Sequence, residues 1–240
     1  LNDGTTLISW LDGRKIVQSE PPGAMTLRAG IFDKSGANVS EWELDHRVCD
    51  CCQTSSAMTE QGPIIVYRDR SQQEVRDIYA TRLVNGAWTS PQAIYNDNWQ
   101  IAGCPVNGPS VAAMNKSVAV AWFSAKDDIP KIQLVLSTNS GLSFSKSIVV
   151  GSLNTNGRVD TTILESGDII VSWMDTAGEA KIMLSRFDIT GGLLGTTKVA
   201  VSSASRRSGF PIIEAVGNSV YVTWTDIDAT PQVKVARIDY

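Results

Sequence analysis

Histidine is almost missing from this chain. His46 is the single copy in 240 residues, which excludes a multi-histidine zinc or copper site and leaves histidine chemistry to one residue. Long apolar runs are missing too. Segments such as 118–123 reach about six residues, against the roughly 20 that a membrane-spanning helix needs. The start shows no basic stretch followed by an apolar core, so no signal peptide is visible. It begins at Leu1 rather than Met, which reads as a removed leader or a piece of a longer chain. A net charge of −4 argues against nucleic acid and anionic membranes as partners. Charged residues at 19%, hydrophobic residues at 42% and a mean hydropathy of −0.05 exclude a disordered chain. The length fits one large domain or two small ones.

Only four cysteines are present: Cys49, Cys51 and Cys52 in one run, and Cys104 before Pro105. Four cysteines allow two disulfides in three connectivities. A Cys51–Cys52 link would be strained, so one of the cluster is expected to reach Cys104. Disulfides would imply a periplasmic or secreted protein. A thiolate metal site is the rival, weakened by the absence of paired C-x-x-C spacing. Otherwise no metal and no cofactor is expected.

What the chain has in quantity is short alternation. Ile132, Leu134 and Leu136 fall on one strand face, with Gln133 and Val135 on the other. Period 2 broken by turn residues every 8–12 positions reads as all-β, with no convincing amphipathic helix. A longer repeat overlies it. Trp10, Tyr67, Trp122, Trp173 and Trp224 recur at spacings of 57, 55, 51 and 51, and an aspartate follows two residues later in four of the five copies. Strands at 109–113, 117–123, 131–137 and 145–150 make the third copy a four-stranded antiparallel unit. Such units are blades of a β-propeller. The aromatics are expected to pack between blades. The chain is read as one propeller domain, with a partial blade at 1–47, full blades at 48–100, 101–151 and 152–201, and a partial blade at 202–240. An open arc would expose apolar faces, so the complete ring is expected to have six blades, with an unusually closed five-bladed ring as the alternative.

Residues 137–144, Ser-Thr-Asn-Ser-Gly-Leu-Ser-Phe, resemble the Asp-box (BNR) repeat, with Asn139 in place of the aspartate and Ser143 in place of the threonine. Residues 81–88, with Asn85-Gly86, are a weaker copy. Together with the segments at 48–54, 67–71 and 103–109, this makes the chain similar to the sialidase superfamily of six-bladed propellers, and to its bacterial sialidase-like branch with a Cys-Asp-Cys-Cys motif. The resemblance implies the fold first, because one fold hosts many functions.

In such a ring the D–A and B–C loops share one face around the channel. Arg14, Arg47, Arg68, Arg70, Arg158, Arg206 and Arg207 fall there, as do Asp12, Asp50, Asp69, Glu74, Asp160, Asp175 and Asp226. Guanidinium groups grip carboxylates in a fork, which suits an acidic glycan or another carboxylate-bearing small molecule. The bland alternative is that these arginines pair with neighbouring aspartates and close loops. Sialidase-type chemistry implies an arginine triad on the substrate carboxylate, drawn from Arg47, Arg68, Arg70 and Arg158. It implies carboxylates supplied by Glu74 with Asp50 or Asp160. Asn107 and Asp160 are expected at the tops of inner strands, facing the channel. Tyr67 is read as packing, His46 as a loop residue, Asp69 as a repeat-wide turn residue, and Asp127-Asp128 as a solvated loop tip. The tyrosine–glutamate pair of sialidases matches no motif in this sequence. The leading reading is a sialidase-like propeller that binds or hydrolyses an acidic glycan at the channel mouth. The alternative is a non-catalytic ring that docks another protein or the remaining blades.

Overall fold

The computed structural model describes residues 1, 3–18, 20–227 and 230–240. Ser19 in the 12–23 loop, and Asp228 and Ala229 in the 226–231 loop, lie outside the described residues. Nineteen strands form five antiparallel sheets. The first holds β1 (Thr6–Asp12), β2 (Thr26–Phe32) and β3 (Asn38–Asp45). The second holds β4 (Ser55–Thr59), β5 (Gly62–Arg68) and β6 (Ile78–Val84), with β7 (Ala87–Trp88) and β8 (Gln92–Ala93) both pairing with β6. The third holds β9 (Ser110–Met114), β10 (Ser117–Ser124), β11 (Lys131–Ser137) and β12 (Ile148–Val150). The fourth holds β13 (Asp160–Ile163), β14 (Ile169–Asp175), β15 (Lys181–Phe187) and β16 (Leu193–Val201). The fifth holds β17 (Ile212–Val216), β18 (Ser219–Asp226) and β19 (Gln232–Asp239). One turn of helix, α1 (Arg14–Gln18), sits in the loop after β1, where no helix is expected from the sequence. No described helix is long and apolar enough to cross a membrane.

Period 2 decides how the sheets stack, because alternate side chains leave opposite faces of a strand. Along β10, Val118, Val120 and Trp122 join a cluster with Ile64, Val66 and Ile78 of the second sheet. Ala119, Ala121 and Phe123 point the other way, onto Ile169, Val171 and Trp173 of the fourth. Each repeat aromatic after Trp10 thus faces the preceding sheet: Tyr67 the first, Trp122 the second, Trp173 the third and Trp224 the fourth. Trp122 is fully buried, and its indole N–H donates to Asp97 at 2.6 Å. Two of the aspartates that follow the aromatics act as turn acceptors: Asp12 takes the Arg14 N–H at 2.9 Å and Asp175 the Ala177 N–H at 2.8 Å.

The inner strands are laced by side chains. Ser55, Ser110 and Asp160 are the first residues of β4, β9 and β13. Each accepts the main-chain N–H of the second residue of the next inner strand: Val111 to Ser55 at 3.1 Å, Thr161 to Ser110 at 3.0 Å and Ile213 to Asp160 at 2.9 Å. The outer faces of the first and fifth sheets carry exposed apolar side chains such as Ile8, Val233 and Val235, and no strand pairing joins the first sheet to the fifth among the described residues.

Candidate functional site

The loops at 45–53, 68–77, 101–109, 154–160 and 203–211 gather at one end of the inner strands. There the expected arginines divide into two kinds. Arg68, the last residue of β5, does not face a ligand space. It is 1% exposed and its donors end on carbonyl oxygens: Asn107 at 3.0 and 2.9 Å, Phe123 at 2.7 Å and Arg76 at 2.6 Å. Its guanidinium also lies 5.2 Å from the Trp99 ring, and burial pulls its pKa down to about 10. Arg158 works the same way one junction on. Its Nη atoms donate to Ser208 Oγ at 2.6 Å and to the carbonyls of Ala204 and Ser205 at 2.9 and 2.8 Å. Its Nε has no partner among the described residues. Burial lowers its pKa, and so does the nearby Arg206.

Asn107 is likewise an inter-sheet joint. It accepts the Arg158 N–H at 2.8 Å and donates to the carbonyls of Pro105 and Asn156 at 3.1 and 3.3 Å. Asp160 is the third tooth of the inner lacing. One oxygen accepts Ser110 Oγ at 2.7 Å and the other the Ile213 N–H, and burial raises its pKa. Both of its oxygens are engaged between strands, which leaves this carboxyl poorly placed for the channel-facing role expected of it.

The remaining expected residues meet each other. Arg70 grips Glu74 at 2.9–3.1 Å and reaches Asp50 at 3.0 Å. Arg47 reaches Glu74 at 3.3 Å, and Arg76 reaches it at 2.8 Å. Glu74 sits at a left-handed φ of 61°, and the Arg70 fork, followed by Arg76, holds its carboxyl at about 2. Arg76 was not singled out from the sequence, because it lies past the loop boundary at 74. Its burial follows from its place beside the cysteines.

Cys49 pairs with Cys52, and Cys51 with Cys104. The expected link from the cluster to Cys104 is therefore present, and it ties the 45–53 loop to the 101–109 loop. Arg76 Nη1 donates to Cys49 Sγ at 3.4 Å, while its buried Nε has no partner.

Tyr67 is fully buried and donates to Asp45 at 2.5 Å; burial, then the Asp45 charge, raises its pKa. That matches packing rather than nucleophilic attack. Asp69 beside it is pushed up to about 6 by burial and then by Asp45. The His46 side chain is 85% exposed.

A cavity of about 330 Å³ opens on this loop face, lined by Pro105, Val106, Asn107, Asn156, Arg158, Ala204, Arg206, Gly209 and Phe210. No carboxylate lines it. Arg206 has no acidic partner among the described residues, and Asn156 Oδ1 is buried without one. Two guanidinium groups, two amides and an aromatic ring thus surround the space. From the sequence, Arg206 was one of seven loop-face arginines, and nothing distinguished it. Phe210 and Asn156 carried no signal at all.

No family model and no curated protein matches the sequence. Solved structures do. A protein of unknown function from Dyadobacter fermentans aligns over 99% of this chain and 76% of its own, with a TM-score of 0.62 at 11% identity. The Trypanosoma rangeli sialidase with 2,3-difluorosialic acid aligns over 96% of this chain and 42% of its own, with a TM-score of 0.56 at 9% identity. The Hadza microbial sialidase Hz136 aligns over 90% and 54%, with a TM-score of 0.53 at 14% identity. The chain spans about half the length of these sialidases. At such identities the likeness concerns the fold, which is that of a sialidase-like propeller.

Proposed function

We propose that this chain forms part of a propeller that binds an acidic glycan, or another small molecule bearing a carboxylate, in the loop-face cavity between residues 105–107, 156–158 and 204–210. The observation that carries the reading is exposed Arg206, which has no acidic partner among the described residues and borders a space with no lining carboxylate. A ligand anion would supply the missing charge. Phe210 and Pro105 would take the apolar face of a sugar ring, and Asn107 and Asn156 its hydroxyls. The sialidase neighbours are consistent with a glycan ligand.

The reading is binding in the first place. Glycosidic cleavage uses two carboxyl groups, one of them protonated, and no carboxyl lines the cavity. Asp50 and Glu74 are the proposed second edge of the same mouth, joined to the cavity wall through the Cys51–Cys104 link. Glu74, held ionised by its arginines, is suited to a base or nucleophile rather than an acid. The two disulfides support a periplasmic or secreted setting. The open outer faces of the first and fifth sheets support a six-bladed ring, completed by further sheets or by a protein partner.

Calorimetric titration with a panel of uronic and sialic acids beside their neutral counterparts tests the proposal. The acidic sugars should bind and the neutral ones should not. Arg206→Ala should weaken binding at least tenfold, since a charge-assisted hydrogen bond contributes about 1.5–3 kcal/mol. Its thermal transition should stay unchanged, because the Arg206 side chain is exposed and has no partner among the described residues. Equal affinity for neutral sugars, or indifference to Arg206→Ala, would overturn it.

A further inference from the structure

We propose that the four-cysteine cluster is, in its reduced state, a tetrathiolate site for one thiophilic d10 cation of the Zn²⁺ type. The disulfide form and the metal form would be two states of one cluster.

The sulfur positions carry the argument. The sulfurs of Cys49, Cys51 and Cys52 all lie within 4.8 Å of one another; Cys104 stands outside that group and is tied to it through its bond to Cys51. Cys49 and Cys51, which are not bonded to each other, stand 3.9 Å apart. Thiolates about 2.3 Å from a tetrahedral zinc lie about 3.8 Å apart along each edge. One edge of the tetrahedron is therefore already in place across the two disulfides. The bonded pairs have Cα–Cα distances of 5.8 and 6.3 Å, so the remaining edges open by side-chain rotation.

The second observation is Arg76. Arg76 is 4% exposed, donates to Cys49 Sγ at 3.4 Å and leaves Nε without an acceptor among the described residues. Glu74 is its one carboxylate partner among the described residues. Glu74 takes Nη2, which leaves Nη1 and Nε as the donors on the sulfur side. Four thiolates around a dication carry a net double negative charge, which an adjacent guanidinium offsets, and N–H donors to ligating groups are what orient metal ligands. Access is from one side: Cys104 is exposed and Cys51 half-buried, whereas Cys49 and Cys52 are buried.

The chemistry balances with a dithiol as reductant. Two dithiols reduce the two disulfides to four thiols and leave as two cyclic disulfides. Binding of one Zn²⁺ then releases four protons. In either state the 45–53 and 101–109 loops stay tied.

The test uses the whole chain, reduced with a dithiol, freed of reductant without air, and titrated with Co²⁺ and then Zn²⁺. One Co²⁺ per chain is expected, with thiolate charge-transfer and tetrahedral d–d absorption that Zn²⁺ abolishes. Zn²⁺ should protect four thiols from alkylation and raise the thermal transition with its free concentration. Cys104→Ser should weaken Co²⁺ at least tenfold, and Arg76→Ala ten- to a hundredfold. A reduced chain that keeps its near-ultraviolet dichroism yet gives no thiolate bands would overturn the proposal, as would bands unchanged in Cys104→Ser. Should reduction alone unfold the chain, refolding with one equivalent of Zn²⁺ decides: recovery of the folded signal supports the site, and no recovery refutes it.

Discussion

Arg68 and Glu74 are both charged loop-face residues, yet their surroundings give them opposite parts. The Arg68 guanidinium donates to three carbonyl oxygens, those of Asn107, Arg76 and Phe123, all in buried residues. Removing the side chain strands them, at about 1–3 kcal/mol for each acceptor left without a donor. Arg68→Ala should therefore cost roughly 3 kcal/mol or more in urea denaturation, whereas Arg206→Ala should cost nothing measurable. Asp69 sets a pH dependence. Its folded pKa of about 6 lies above the unfolded value of about 4. The folded chain then holds that proton more tightly, so the contribution to stability is complete below pH 4 and fades as pH rises through 6. Asp69→Asn should raise the melting temperature at pH 7, and thermal scans down to pH 4 should show the gain disappear. Sequence alone brought the arginines to the correct end of the sheets. It did not say which guanidinium groups turn inward, because loop backbone has no period and a buried carbonyl leaves no trace in residue type.

At the scale of the element, the repeat aromatics test the stacking. Trp122 fills the seam between the second and third sheets, while Trp10 faces away from the second sheet and is only half-buried. Trp122→Ala should cost about 3–5 kcal/mol, as deletions of large core rings do, and Trp10→Ala clearly less; equal losses in chemical denaturation would contradict the seam. Gly151 shows how tight such a seam is, since a Cβ there would stand 2.2 Å from the Trp173 ring. The strands buried on both faces were legible from the sequence, because two apolar faces write an unbroken apolar run such as 118–123. Outer strands were less so. β12 is three residues long where six were expected, and the outer strand of the second sheet is split into β7 and β8. Half-solvated strands place few demands on their side chains. The turns into β3 and β16 use one device: Asp33 collects the N–H groups of Ser35 and Ala37, and Asp188 those of Thr190 and Gly192.

At the scale of the molecule, the fifth sheet turns Ile212, Val216, Tyr221, Val233 and Val235 outward, with Val233 75% exposed. An apolar face of this kind favours association. Sedimentation velocity should show concentration-dependent self-association that Val233→Glu with Val235→Glu abolishes; a concentration-independent unmodified chain would contradict it. The five sheets match the five aromatic copies, four of which wedge a ring against the preceding sheet. How the arc closes was not legible, since closure depends on surfaces rather than on any residue pattern within a sheet.

The lacing of Ser55, Ser110 and Asp160 carries an evolutionary corollary. Each joint asks for one hydrogen-bond acceptor at a strand's first position and an ordinary amide at its neighbour's second. Every duplicated unit therefore arrives with both halves of the clasp. A gene assembled from such modules can gain or shed a copy in a single recombination, and the newcomer docks before any of its other residues have adapted.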